Sequence, residues 1–166
     1  MADTARGAVS VTPVVTIQAG AEADADAVDV IHHDIKSALG GKLEYIKADA
    51  SDKWVYSASL DVAVGDADLI AAGTAFTEGG TTTTSDHVKF LYLHNSGTTD
   101  GTTATTSKVY LTLDGGDPAA QSDTLEIGAD ESMVLKFKDG LDAANVHSAT
   151  SSGTVRCTIC AILDDV

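Results

Sequence analysis

The chain reads as an all-β protein, an antiparallel β-sandwich or jelly-roll-like domain of about eight or nine strands with at most one short helix. Three observations predict this class. Apolar residues recur at every second position in several separate stretches, the signature of a half-buried strand. The stretches are short and spaced by Gly-, Asp- and Thr-rich turn segments, as in sandwiches and jelly rolls. Only 5% of residues are aromatic and much of the 43% hydrophobic content is Ala and Val, which suits a thin core between two sheets better than a thick helical one.

The elements follow in order. Val9 to Gln18 is β-branched and interrupted by Pro13, which places it at an edge or a bulge. Residues 22–41 admit two readings: Val28, Ile31, Ile35 and Leu39 fall near one helical stripe closed by Gly40-Gly41, and the same residues also fit a poorly alternating strand. Leu43 to Ala48 is a strand, joined through Asp49-Ala50-Ser51-Asp52 in hairpin fashion to the next. That next strand has the clearest alternation, with Trp54, Tyr56, Ala58, Leu60, Val62 and Val64 expected on one buried face. Leu69-Ile70 is a short piece. Val88 to His94 is apolar on both faces and is expected at the centre of a sheet. Val109, Leu111 and Leu113 line one face of a strand, and Leu125 to Ile127 forms another short piece. Met133, Leu135 and Phe137 point inward from a strand that turns Lys136 and Lys138 outward. Val155, Cys157, Ile159, Ala161 and Leu163 share one side of the last strand.

At 166 residues the chain is one domain-sized unit, with residues 1–12 read as an extended N-terminal arm and residues 13–166 as a single sandwich domain. Two Thr/Gly-rich stretches, 79–86 and 97–107, carry almost no apolar residues and are expected to project as loops or ordered β-arms.

The net charge of −15, overwhelmingly from Asp, repels nucleic acid and anionic membranes. Basic patches with interleaved aromatics are missing, which argues against a nucleic-acid binder. The longest apolar runs of four or five residues are far short of a membrane span. The start, Met1-Ala2-Asp3-Thr4-Ala5-Arg6, has no apolar stretch behind Arg6, so synthesis in the cytoplasm without an export signal is expected.

No catalytic residues are expected, because no nucleophile stands in Gly-x-Ser-x-Gly or beside a placed histidine, and no phosphate-binding glycine loop is present. No cofactor and no metal are expected either. Cys157-Thr158-Ile159-Cys160 has no second pair to complete a zinc site, and in a β pattern its two thiols face opposite sides of the sheet. Asp24-Ala25-Asp26, Asp66-Ala67-Asp68 and Asp114-Gly115-Gly116-Asp117 match no calcium loop; the last reads as turn chemistry between Leu113 and Leu125.

Three local patterns in the second half connect to one another. A strand ends in Asn95-Ser96-Gly97; Leu125-Glu126-Ile127-Gly128-Ala129-Asp130-Glu131 forms a Gly-x-x-Glu turn; and Ser151-Ser152-Gly153-Thr154 leads into the final strand. In this order they resemble the small β-sandwich proteins of tailed-bacteriophage virions, the capsid decoration (cement) or appendage class, over roughly residues 87–163. The resemblance implies a non-enzymatic structural protein of the virion, made in the host cytoplasm and bound outside the capsid lattice as a homotrimer. Its implied partners are further copies of itself and the major capsid protein, with no nucleic acid and no membrane. The alternative is a receptor- or glycan-binding fibre or appendage module, which needs exposed aromatics beside polar loops. The partner-binding residues expected on the arm are Ala2, Asp3, Thr4, Val9, Val11 and Thr12, which would add a strand to a neighbour through main-chain hydrogen bonds.

Overall fold

The computed structural model describes residues 4–8, 42–46, 53–73, 76, 81–120 and 122–165. The chain divides into two units, Thr4–Tyr45 and a larger one holding Ile46–Val166. In the first, β1 (Thr4–Ala8) pairs with β2 (Lys42–Ile46) in a two-stranded sheet. The strand expected at Val9 to Gln18 and the two readings of residues 22–41 lie outside the described residues.

The larger unit is all-β, apart from a single 3₁₀ turn at Ala143–Asn145 among the described residues. Its strands are β3 (Lys53–Val62), β4 (Ala67–Asp68), β5 (Asp86–Asn95), β6 (Val109–Thr112), β7 (Leu125–Ile127), β8 (Ser132–Asp142), β9 (His147–Thr150) and β10 (Val155–Asp165). They form two antiparallel four-stranded sheets, ordered β3-β10-β5-β8 and β4-β9-β6-β7. The first strand of this set thus pairs with the last, the second with the second-last, the third with the third-last, and the middle two with each other. A single long hairpin would give those four pairings. Rolling it so that β10 meets β5 and β6 meets β9 gives the other two, and the result is the strand order of a jelly roll.

The rolled hairpin exists because every strand has one apolar side to hide. On β10, Val155, Cys157, Ile159, Ala161 and Leu163 are all fully buried, as their alternation predicts. Val88, Leu91, Leu93, Val109, Leu111 and Ile127 meet them from the other strands, and Met133, Leu135 and Phe137 of β8 pack against the same core. At about 25 cal/mol per Å2 of apolar surface removed from water, this aliphatic filling is the main favourable term holding the sheets together.

Four expectations need correction. The Trp54-to-Val64 residues do not share one face. Cys157 pairs with Leu60 but Ile159 pairs with Ser57, so β3 carries one extra residue. Such a bulge reverses which side chains point inward: Val55 and Ser57 are buried before it, Val62 after it, and Leu60 packs on the core. Tyr56 therefore lies on the outer face, half-exposed. The side chain of Trp54 lies outside the described set. The hairpin expected between β2 and β3 is not formed, since β2 pairs with β1 and β3 with β10. Leu69-Ile70 is a buried turn, and the strand there is Ala67–Asp68 just before it.

The fourth correction concerns Thr82, from a stretch expected to add nothing to the interior. It is buried, donating its hydroxyl to Ala71 O. Strand β5 is central, as expected, and its two-faced apolarity has a local cause. Ile162 faces Phe90 while the adjacent Leu163 faces Val88, so Lys89 is an extra residue. Val88, Leu91 and Leu93 join the core, and Phe90 is turned to the other side.

Candidate functional site

The polar side chains that the fold orders are mostly structural. Asn95 is fully buried at the end of β5. Its Nδ2 donates to Ser107 O at 3.0 Å and to Ile127 O at 3.2 Å, and its Oδ1 accepts from Gly97 N at 2.9 Å. One side chain thereby ties the first sheet to the second and to the base of the Thr-rich loop. In the Gly-x-x-Glu turn, Glu131 accepts from Gly128 N at 2.8 Å, and a Cβ at Gly128 would stand 2.8 Å from the same carboxylate oxygen. Before the last strand, Thr150 donates to Gly153 O at 2.6 Å, and Gly153 adopts φ 61°. All three patterns that carry the virion resemblance are therefore turn staples.

The loop 97–107 is an ordered excursion. Thr98 bridges to Ala104, and Asp100 Oδ1 accepts from the amides of Thr102 and Thr103 at 2.8 and 2.7 Å. Those backbone bonds, with the two threonine hydroxyls, hold the Asp100 carboxyl well below the usual carboxylate range. Arg156 of β10 fixes the loop from beneath. Its Nη1 donates to Asp100 O at 2.5 Å, while Nε and Nη2 grip Asp61 at 3.0 and 3.3 Å.

On the second sheet, His147 of β9 lies between two carboxylates. Nδ1 is 2.5 Å from Asp66 and Nε2 is 3.1 Å from Asp68 and from Ala144 O. Burial opposes charging the ring, yet the bond to Asp66 and the charges of both aspartates outweigh it and raise its pKa. The Asp66-Ala67-Asp68 cluster is thus an ion-paired clasp of β4 onto β9. Asp114 and Asp117 accept from Gly116 N and Ala119 N, the turn chemistry expected of them. Asp24 and Asp26 lie outside the described residues.

Cys157 and Cys160 are both free and face opposite sides of the sheet, as the i, i+3 spacing predicts. Burial pushes the Cys157 thiol up to about 12 and raises Cys160 as well, so neither is an activated nucleophile.

The surfaces left to interact are the outward faces of the two sheets. On the first, the register sets Tyr56, Cys160, Tyr92 and Val134 in one row and Ile162, Phe90 and Lys136 in the next. Ile162 and Phe90 are themselves shielded from solvent, at 2% and 8% exposure. Tyr56, Tyr92 and Cys160 are half-exposed, and Val134 and Lys136 are open. The second sheet carries a depression of about 530 Å3, lined by Tyr110, Val64, Pro118, Thr124, Glu126 and Ser151 among others.

No family model, curated protein or solved structure matches the chain. Of the six partner-binding residues expected on the arm, Thr4 opens β1. Ala2, Asp3, Val9, Val11 and Thr12 lie outside the described residues. The outward row on the first sheet is not legible in the sequence, because the bulges at β3 and β5 decide which residues join it. The lysine alternation on β8 was its one legible signal.

Proposed function

We propose that this chain is a non-enzymatic structural protein of a tailed-phage virion, a decoration or cement protein seated on the capsid lattice as a homotrimer. The observation that carries this reading is the jelly-roll strand order around an interior filled by aliphatic side chains. Among the described residues the inward faces of both sheets are given over to this apolar core, which favours a protein that works through its surfaces. The resemblance over residues 87–163 gives the class, and the strong acidity favours soluble display at high local concentration.

The test is reconstitution. Purified chain is mixed with capsids of its own virus that have been stripped of accessory proteins, then sedimented. Saturable co-sedimentation with a trimeric free protein is the expected result; a protein that stays in the supernatant at every concentration overturns the proposal.

The depression on the second sheet favours one other reading, a glycan-binding appendage module. Tyr110 offers an aromatic surface beside the hydroxyls of Thr124 and Ser151, a combination suited to a sugar ring. A glycan array would report binders that Tyr110→Ala loses; an array without binders removes this reading.

A further inference from the structure

The outward face of the second sheet is hollowed around Tyr110 of β6, which lies in register between Ala149 of β9 and Glu126 of β7. The depression there, about 530 Å3, has the size of a small-ligand site. Val64 stands on its β9 side, where Ala63 O accepts from Thr150 N at 3.0 Å. At 63% exposure Val64 is one of two large apolar side chains strongly exposed among the described residues. On the β7 side the loop joining β6 to β7 folds back. Thr112 donates its hydroxyl to Gly116 O at 2.6 Å, Thr124 donates to Pro118 O at 2.9 Å, and Asp117 accepts from Ala119 N at 2.9 Å. Both walls are fastened without a ligand, so binding carries little ordering cost.

We propose that this depression binds an uncharged saccharide, with a ring face on Tyr110 and Val64 and a hydroxyl donating to Glu126. The inference rests on the glycan-binding reading above and adds its substrate class and the residue that reads the hydroxyls. Charge decides the class. Among the described residues lining the depression Glu126 is the one charged group, and no cation joins it. Lys108 Nζ already holds Glu126 Oε1 at 2.8 Å. An anionic sugar would therefore find no cation in the lining, on a chain of net charge −15. A cationic ligand would compete with Lys108 for the carboxylate. A wholly apolar ligand would strip water from Glu126 and offer it nothing in return. A sugar hydroxyl fits, because a carboxylate has about four lone-pair positions and can accept it while keeping Lys108. Ser151 adds a second contact: its Oγ accepts from Lys108 N at 3.0 Å, which leaves its proton to donate to a sugar oxygen.

The experiment sets neutral oligosaccharides (hexose, N-acetylhexosamine and deoxyhexose) beside sialylated, sulfated and uronic-acid ones on one array, probed with the full chain. The strongest binder then goes to isothermal titration calorimetry with wild type, Tyr110→Ala, Tyr110→Phe and Glu126→Gln, each checked for a β-rich circular-dichroism spectrum. The expected result is binding of neutral members alone. Their affinity should hold as salt shortens the screening length from about 10 Å at 0.1 M to about 3 Å at 1 M. Tyr110→Phe keeps the ring and should bind like wild type, whereas Tyr110→Ala should bind roughly tenfold more weakly or worse. Glu126→Gln exchanges a charged acceptor for a neutral one and should also lose roughly tenfold. Binding of anionic members, or a neutral binder that either Tyr110→Ala or Glu126→Gln leaves unchanged, overturns the inference and leaves the glycan-binding reading standing. An array with no binder in either class removes that reading, and the inference with it.

Discussion

Replacing Asn95 tests whether the two sheets are tied as described. Asn95→Ala strands three backbone groups at once: Gly97 N, Ser107 O and Ile127 O. The bond to Ile127 is fully buried and those to Ser107 and Gly97 are partly so. Taking about 2 kcal/mol for the first orphan and about 1 for each of the others gives a loss of roughly 4 kcal/mol. For a unit of this size that is a fall of roughly 15 °C in melting temperature. Asn95→Asp is the sharper variant. It keeps an acceptor for Gly97 but turns a carboxylate oxygen on two carbonyls in a buried site. Burial raises that acid's folded pKa above the unfolded value near 4, so the penalty is full above the folded value, shrinks as pH falls from there toward the unfolded one, and is gone below it. Differential scanning calorimetry at pH 7 and pH 4 reads both effects. An Asn95→Ala midpoint within about 4 °C of wild type, about 1 kcal/mol on the same scale, or an Asn95→Asp variant insensitive to pH, would refute the reasoning.

Four further outcomes follow from the same geometry. Gly140 adopts φ 82°, and a Cβ there would lie 2.9 Å from the His87 Cβ, so Gly140→Ala should cost about 2 kcal/mol in chemical denaturation, against about 1 kcal/mol or less of gain where the backbone is relaxed. The raised pKa of His147 means its clasp stabilises fully below the unfolded value of 6.5 and is lost as pH rises through the folded value. Hydrogen exchange at Leu69, whose amide donates to Val146 O, should then quicken across that window more in wild type than in His147→Gln. Arg156→Ala frees Asp100 O and Asp61 together, and faster proteolysis of loop 97–107 with little change in the circular-dichroism spectrum is the expected result. Cys157 should resist thiol reagents in the native state while Cys160 reacts slowly, which timed alkylation and peptide mapping would resolve.

Much of this fold was legible in the residues, and the failures have physical causes. Strands β6, β8 and β10 keep their alternation through their core-facing stretches, so Val109 and Leu111, Met133 to Phe137, and Val155 to Leu163 could be oriented without coordinates. Strand β3 could not, because its pattern of Trp54, Tyr56, Ala58 and Leu60 ignores a bulge that only its pairing with β10 imposes. Strand β9 has no signature in the sequence. His147-Ser148-Ala149-Thr150 has no apolar alternation, and its burial comes from the neighbours β4 and β6. The candidate surface was less legible still. Outward Lys136 and Lys138 could be read, but their grouping with Tyr92 and Val134 depends on cross-strand register, which composition does not carry.

The claim underlying the functional reading is that this sandwich is built into particles in many copies, and quantitative mass spectrometry of purified virions tests it most directly. The account predicts a stoichiometry that follows the major capsid protein in lattice-wide proportion, in groups of three. Absence from purified particles, or only a few copies per particle, would contradict it.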